Sequence, residues 1–159
     1  MRLSDELKMS RPFALAEEEA TLAILRTADV LSQRASTILK RFDITGAQYN
    51  VLRILHGSPS GLPCSGISDR LIASDPDVTR LLDRMEARNW IQRKRCDNDR
   101  RVVIACITST GLELLAQVAP SIASYHQHQF CGWGEEQLKQ LTSLLERVRK
   151  TEPQIELEK

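Results

Sequence analysis

Apolar residues recur at alternating steps of four and three near the start of the chain, which is the spacing of one helix face. The stripe consists of Ile24, Ala28, Leu31, Ala35, Ile38 and Phe42. It predicts a helix over about residues 14–41, which would span roughly 40 Å at 1.5 Å per residue. A helix this long in a 159-residue chain indicates an intermolecular role. Residues 1–12 carry charges and a proline but no clear stripe, so we expect a loose arm there.

Capping signals mark the elements that follow. Thr45 and Gln48 have the spacing of a capping box, in which each side chain satisfies an open backbone donor of the other residue. The helix that they start should end at Gly57 in the left-handed conformation. Residues 58–63 are rich in turn formers and predict a linker, after which Ser65 is a suitable N-cap for a short helix.

A second short helix follows closely, as in a helix-turn-helix. It should open at Ser74-Asp75-Pro76, where Asp75 can cap and Pro76 takes the first helical position. Its apolar positions are Val78, Leu81, Leu82 and Met85, which leaves Asp77, Thr79, Arg80, Asp83 and Arg84 for the exposed side. Asn89 can end this helix because asparagine tolerates the left-handed conformation.

Two short strands and a final pair of helices complete the pattern. Residues 90–95 and 102–107 predict a two-stranded β-ribbon with a polar tip at residues 97–101. Residues 108–111 cap the first of the final helices, and Pro120 inside it should bend or break it. Gly134 caps the last helix. The fold class is therefore mostly α with a small β-ribbon (α+β), in the order of a winged helix-turn-helix flanked by long terminal helices.

Composition and charge sharpen this interpretation. Apolar residues make up 42% of the chain but aromatic residues only 4%, which favours helices packed through aliphatic side chains. The net charge of +1 gives no global signature of nucleic-acid binding. Residues 88–101, however, contain six basic and two acidic side chains, a local balance of +4. Such a patch can still bind phosphates, because screening limits distant charges to a range of about 10 Å.

Several other classes of site are not expected. The four cysteines form no CxxC pair, and no secretory signal is visible, so we expect reduced thiols in a cytoplasmic protein. The longest stretch without charged side chains, residues 114–134, is too polar for a membrane span. His128 and Cys131 share a helix face but make only a weak half-site for a metal. No catalytic, cofactor-binding or metal site is predicted, since no nucleophile–base pair, phosphate loop or paired-carboxylate motif occurs.

The chain resembles the MarR family of bacterial transcriptional regulators from the first long helix to Val148. The most specific pieces are VTRLLDRME at residues 78–86, DRR at residues 99–101, and IACITSTG at residues 104–111. The resemblance implies an obligate homodimer whose long terminal helices form the dimer body and whose two winged helices reach adjacent major grooves. The implied parts are the arm and first dimerisation helix (residues 1–44), the DNA-binding lobe (residues 45–108), and the C-terminal dimerisation helices with a charged tail (residues 109–159).

The resemblance also assigns roles to individual residues. Arg101 takes the place of the wing arginine that enters the minor groove, and Asp99 that of its orienting carboxylate. Thr79 and Arg80 match residues that meet the DNA backbone and bases. The full set of candidate DNA-binding residues is Ser65, Asp77, Thr79, Arg80, Arg84, Arg93, Arg95, Asp99, Arg100 and Arg101.

Two departures from the family pattern affect this set. Asn89 replaces the usual glycine, which is a mild change. Asp75 and Asp77 stand where the family more often has Ser, Thr or a small residue. These carboxylates could accept hydrogen bonds from cytosine amino groups, or they could cap the helix without touching DNA. Capping follows from the physics of helix ends alone and is the favoured interpretation.

The predicted function is sequence-specific binding of double-stranded DNA by a homodimeric, ligand-responsive repressor that recognises a pseudo-palindromic site. The alternative is a winged-helix protein-interaction module with weak or lost DNA binding. Arg80 and Arg84 share a helix face and can reach phosphates or guanine, whereas Arg93 and Arg95 would add phosphate contacts. The resemblance implies a small aromatic or phenolic effector between the dimer body and the DNA-binding lobe, or a reactive cysteine. Cys64 has no neighbour in sequence that would activate its thiol, which favours an inert role. The sign of regulation is open.

Overall fold

The structure is a computed structural model that describes residues 2–73, 77–95 and 101–151. Its helices are α1 (Leu3–Glu6), α2 (Ala16–Leu39), α3 (Gly46–His56), α4 (Cys64–Ser68), α5 (Val78–Ala87), α6 (Ser109–Gln129) and α7 (Glu135–Lys150). Its strands are β1 (Leu62–Pro63), β2 (Ile91–Arg95) and β3 (Val103–Ile107). The predicted class, mostly helical with a small antiparallel sheet, is confirmed.

The long N-terminal helix is confirmed as α2, and a 3-10 turn at Lys40–Phe42 extends it. Asp43 then ends the helical run with a left-handed φ of 53°. Part of the predicted loose arm is instead helical, since α1 forms there, and Glu6 at its end lies 3.5 Å from the guanidinium of Arg26. The sequence did not predict α1, because a helix of only four residues is too short to show a periodic pattern of apolar positions.

The capping box of α3 is confirmed in both directions. The amide of Gln48 donates to Thr45 Oγ1 at 3.2 Å, and the amide of Thr45 donates to Gln48 Oε1 at 2.9 Å. The predicted left-handed end of this helix is wrong, because Gly57 has a φ of −76°. Its amide donates to the carbonyl of Arg53 at 3.1 Å, so the last turn closes without a left-handed residue.

The predicted two-stranded ribbon is part of a three-stranded antiparallel sheet in the order β1-β3-β2. Leu62 pairs with Ala105 in one register, and Ile91 pairs with Ile107 in the other. The extra strand β1 lies in the segment predicted as a linker. Two residues are too few for an alternating pattern, so only the pairing with a distant strand defines this element.

One hydrophobic core joins α3, α4 and α5 to the sheet and to the first half of α6. Its fully buried members include Val51, Leu52, Leu55, Ile67, Leu82, Met85, Ile91 and Val118. The predicted apolar face of α5 is thus confirmed. Helix α6 runs without a break through Pro120, so the interior proline does not divide it as expected.

Contacts divide the chain into two units, Met1–Ala123 and Ser124–Lys159. The first unit contains the core and the sheet, whereas the second contains α7, which is capped at Gly134 as predicted. The division into an arm, a DNA-binding lobe and C-terminal dimerisation helices stays a prediction. Within the ranges that the structure describes, no helix is both long and apolar enough to span a membrane.

Candidate nucleic-acid interface

Helix α5 separates its apolar side chains from its charged ones. Leu82 and Met85 are fully buried on one face, whereas Thr79, Arg80 and Arg84 are exposed on the other. The burial follows from the helical spacing of the apolar positions, and it fixes which face of α5 points to solvent. The exposed face therefore carries the cations and the hydroxyl that a recognition helix needs.

The cap of α5 differs from the prediction. The helix begins at Val78, and Asp77 is its N-cap, with the Asp77 Oδ1 atom accepting a hydrogen bond from the amide of Arg80 at 3.1 Å. Asp77 therefore has the capping role that was expected at this helix end. Asp75 and Pro76 lie outside the described residues.

Arg80 and Arg84 have different surroundings. The Nε atom of Arg80 lies 3.1 Å from Asp77 Oδ2, and the Arg80 side chain is 81% exposed. The Nε atom of Arg84 donates to the carbonyl of Arg80 at 3.1 Å, which draws the Arg84 side chain along the helix surface. Both guanidinium groups remain on the exposed face of α5.

Ser65 is exposed but is not an N-cap. Helix α4 begins one residue earlier, at Cys64, and its N-cap is Pro63 in an extended conformation. Pro63 is also the last residue of β1, so the sheet sets the point at which the helix starts. Ser65 therefore stands in the first turn of α4, where its assignment to DNA stays a prediction.

Arg93 in β2 is bound to α5 rather than left on the surface. Its Nε and Nη2 atoms donate to Glu86 Oε2 at 2.8 and 2.6 Å, and Nη2 also donates to Asp83 Oδ1 at 2.6 Å. The amide of Arg93 donates to Glu86 Oε1 at 2.8 Å. Two carboxylates of α5 thus already bind the guanidinium, and the phosphate contact expected of Arg93 stays a prediction.

These contacts shift the pKa values of both partners. The hydrogen bond from the Arg93 guanidinium holds the pKa of the Glu86 carboxyl below its ordinary value, against the opposing effect of burial. The hydrogen bond to Glu86 in turn raises the pKa of Arg93 above its ordinary value. Both shifts favour the charged pair, so the bridge between α5 and β2 is an ion pair throughout the neutral pH range.

The remaining basic candidates lie farther along the ribbon. We use "the wing" for residues 91–107, that is β2, β3 and the segment between them. Lys94 and Arg95 are exposed in β2, and Arg101 is exposed just before β3. Asp99 and Arg100 lie outside the described residues, so the predicted pairing of Asp99 with Arg101 is untested.

Sequence reasoning missed a contact between Asp43, which follows the 3-10 turn after α2, and the residues that connect α5 to β2. Arg88 follows α5 directly, and its Nη2 atom lies 2.8 Å from Asp43 Oδ2 while Nη1 donates to the Asp43 carbonyl at 2.8 Å. The same guanidinium stacks 4.0 Å from the ring centre of Trp90. Asp43 and Arg88 are too far apart in sequence for a local pattern to pair them, although an arginine beside a tryptophan is a signal for cation–π stacking.

No cluster of three or more His, Cys, Asp or Glu side chains suited to a metal occurs among the residues with described structure. The candidate site consists of the exposed arginines of α5 and the wing together with the hydroxyl of Thr79. This is the chemistry of nucleic-acid backbones and base edges.

Comparison with known proteins assigns the family. The MarR family model matches residues 44–103, which contain α3, α4, α5 and most of the wing. A solved MarR transcription factor from Planctomyces limnophilus is 33% identical, with 86% of this chain and 99% of that chain covered and a TM-score of 0.63. The chain belongs to the MarR family. The winged helix and the function of a DNA-binding transcriptional regulator are thereby confirmed.

Two further proteins are similar to this chain over most of its length. The homoprotocatechuate degradative operon repressor of Escherichia coli is 28% identical over 129 residues, which covers 81% of this chain and 86% of that protein. CouR of Rhodococcus jostii, solved with p-coumaroyl-CoA bound, shares the fold at 18% identity and a TM-score of 0.75, with 89% of this chain and 99% of that chain covered. Several relatives of this chain are named as transcriptional regulators or repressors.

Proposed function

We propose that this MarR-family chain is a homodimeric, ligand-responsive repressor of the bacterial cytoplasm that binds a pseudo-palindromic site in double-stranded DNA. In this arrangement α5 enters the major groove with Thr79, Arg80 and Arg84, while Arg101 on the wing reaches a narrow minor groove. The observation that carries the proposal is the polarity of α5. Its apolar face is buried in the core, and its arginines are exposed beside a basic wing.

Exposed apolar side chains support a homodimer. Leu25 of α2 is 60% exposed, and Leu144 and Val148 of α7 are 56% and 57% exposed. Leu39 is the buried residue of α2, and α7 has none among the side chains that the structure describes. Two copies of the chain could cover these residues, as in the dimer body implied by the family resemblance. A symmetric dimer would explain why a pseudo-palindromic site is expected.

The effector that we propose is a small aromatic or phenolic compound, bound between the dimer body and the DNA-binding lobe. One relative is named after homoprotocatechuate, and a solved structure with the same fold contains p-coumaroyl-CoA; both compounds carry a phenol ring. A ligand that prefers one dimer arrangement would shift the population toward or away from the DNA-binding state. Oxidation of a cysteine is the competing means of regulation. Cys64 is half-buried and Cys131 is exposed.

The wing assignment is tested with the variant Arg101→Ala. The binding site is first selected from a random duplex library with the parent protein, and dissociation constants are then measured by fluorescence anisotropy at several salt concentrations. We expect weaker binding of the selected site by on the order of tenfold or more, because an arginine in a narrow minor groove contributes strongly to affinity.

Lys139→Ala is the matched control, since it removes one positive charge from α7, outside the DNA-binding lobe. It should bind like the parent at every salt concentration. If Arg101→Ala binds as tightly as the parent at matched salt, the wing assignment is wrong. If the parent retains no duplex from the library, the repressor proposal fails as a whole.

A further inference from the structure

The first turn of α5 couples an acidic cap to an exposed arginine. The two oxygens of the Asp77 carboxylate have different contacts: Oδ1 accepts from the amide of Arg80, and Oδ2 pairs with Arg80 Nε, each at 3.1 Å. Capping α5 needs only the first of these contacts. The second contact holds the Nε atom of an exposed guanidinium that would otherwise move freely in solvent.

The ion pair is poorly explained by stability. The Arg80 side chain is 81% exposed and that of Asp77 is 45% exposed. Exposed ion pairs at this helical spacing contribute little to folding, because water and salt screen them. Its main consequence is therefore the orientation of the Arg80 side chain.

Orientation matters for base recognition. An arginine recognises guanine in the major groove through two parallel hydrogen bonds to O6 and N7, which require a fixed plane and direction of the guanidinium. A contact at Nε leaves the two terminal nitrogens to form such a pair. A free arginine loses considerable rotamer entropy when it binds, whereas one already held by Asp77 loses less.

We propose that Asp77 is a positioning residue for specificity, which holds Arg80 in the direction needed to recognise a guanine in the major groove. The proposal rests on the proposed function, since it requires α5 to enter that groove. It also chooses between the two interpretations of the acidic residues at this helix end. Asp77 caps the helix and acts on the bases through Arg80, not by accepting a hydrogen bond from cytosine itself.

The sign of the charge gives the proposal a distinctive consequence. A carboxylate close to DNA repels the phosphates, so its removal should leave the binding of non-specific duplex unchanged or make it tighter. Removal should at the same time weaken the discrimination between bases. A residue that only stabilised the fold would not change the two quantities in this way.

The test compares Asp77→Ser, Arg80→Ala and the double variant in the full-length protein. Serine keeps an oxygen that can cap the helix but cannot reach the guanidinium as a charged partner. Dissociation constants are measured for the selected site, for every single base change under α5, and for a non-specific duplex at matched salt. We expect Asp77→Ser to reduce discrimination at one base pair by about tenfold, which is within the range for one arginine–guanine contact.

The double variant identifies the route of the effect. If Asp77 acts through Arg80, the change at Asp77 has no further effect on discrimination once Arg80 is alanine. If the change at Asp77 reduces discrimination equally in both backgrounds, Asp77 contacts a base directly and the proposal is overturned. Parental discrimination in Asp77→Ser, with discrimination lost in Arg80→Ala, would overturn the positioning role but leave the proposed function intact.

Two controls keep the result interpretable. Glu113→Gln removes one negative charge from an exposed position of α6 and should leave discrimination unchanged. Thermal unfolding, monitored by circular dichroism, shows whether Asp77→Ser remains folded. If it does not, Asp77→Asn is used in its place, because asparagine keeps the shape of the cap. A parent protein without base discrimination would overturn this proposal together with the proposed function.

Discussion

Among the glycines of the described residues, Gly111 has the least space for a side chain. A Cβ atom at this position would lie 2.1 Å from the carbonyl oxygen of Trp90 and 2.9 Å from a side-chain carbon of Ile107. The same carbonyl accepts a hydrogen bond from the amide of Thr108 at 3.1 Å, and Thr108 Oγ1 donates to the carbonyl of Asn89 at 2.6 Å. The start of α6 is thus held so close to the start of β2 that only glycine fits.

We expect Gly111→Ala to lower the free energy of unfolding by about 1–3 kcal/mol, the usual cost of an overpacked core position. The clash is with a backbone atom, which a rotamer change cannot relieve. Urea unfolding at neutral pH measures the change. Gly46→Ala is the control, because a Cβ atom there meets nothing within 4 Å, and it should be neutral or slightly stabilising. Equal unfolding midpoints for the two variants would contradict the steric argument.

The sequence predicted residue-scale features only where their cause is local. Thr45 and Gln48 cap α3 as expected because both partners lie within one helical turn. Asn89 has the expected left-handed φ of 56° for the same reason. The requirement at Gly111 comes from the approach of a distant carbonyl, so the sequence showed only a helix start there. The pairing of Arg88 with Asp43 was missed for the same reason.

At the scale of elements, the salt bridge of Arg93 with Asp83 and Glu86 joins α5 to the wing. Arg93 binds Glu86 through its backbone amide and its guanidinium, and binds Asp83 one helical turn earlier. This arrangement fixes α5 against β2. Arg93, which was predicted as a phosphate ligand, therefore also holds together the two elements that we propose to bind DNA.

We expect Arg93→Gln to be less stable than the parent at neutral pH and to lose this deficit in acid. The pKa of Glu86 is lowered in the folded chain from an ordinary value of 4.5. Its contribution is therefore present above about pH 4.5 and disappears as the pH falls through the lower folded value. The raised pKa of Arg93 has no effect in this range, since arginine stays charged in both states.

Urea unfolding of the parent and Arg93→Gln at pH 7 and at several points below pH 4.5 tests this expectation. Arg95→Gln is the matched control, because it removes the same charge from an exposed position of the same strand. Its stability should follow that of the parent at every pH. A deficit of Arg93→Gln that stays constant in acid would show that the bridge to Glu86 does not contribute to stability as argued.

Elements with a regular period were predictable, whereas those defined by distant partners were not. The apolar face of α5 and the long helix α2 follow from helical spacing within the element itself. Strand β1 exists because it pairs with β3, and α4 starts where that pairing ends. Helix α6 remains unbroken at Pro120, although an interior proline lowers the stability of an isolated helix. The buried side chains on both sides of it, Val118 and Ile122, show how packing outweighs that local cost.

At the scale of the whole molecule, the chain leaves apolar residues exposed on two of its long helices. Leu25 in α2 and Leu144 in α7 are each more than half exposed. A stable homodimer interface usually buries well over 1,000 Å² and is rich in apolar side chains. We therefore expect the homodimer to depend on these helices rather than on the DNA-binding lobe.

Leu144→Asp should convert the dimer into a monomer at micromolar concentration, because a charge in an apolar interface loses its hydration without gaining a partner. Leu144 is 56% exposed in the single chain, so the fold of that chain should tolerate the change. Ser143→Asp adds the same charge at the adjacent exposed position and should remain dimeric. Light scattering across a concentration series measures the mass, and circular dichroism checks that helix content is kept.

The monomer should bind the full palindromic site no better than a half-site, since one winged helix contacts one half-site. A Leu144→Asp variant that stays dimeric at every concentration would place the interface elsewhere on the chain.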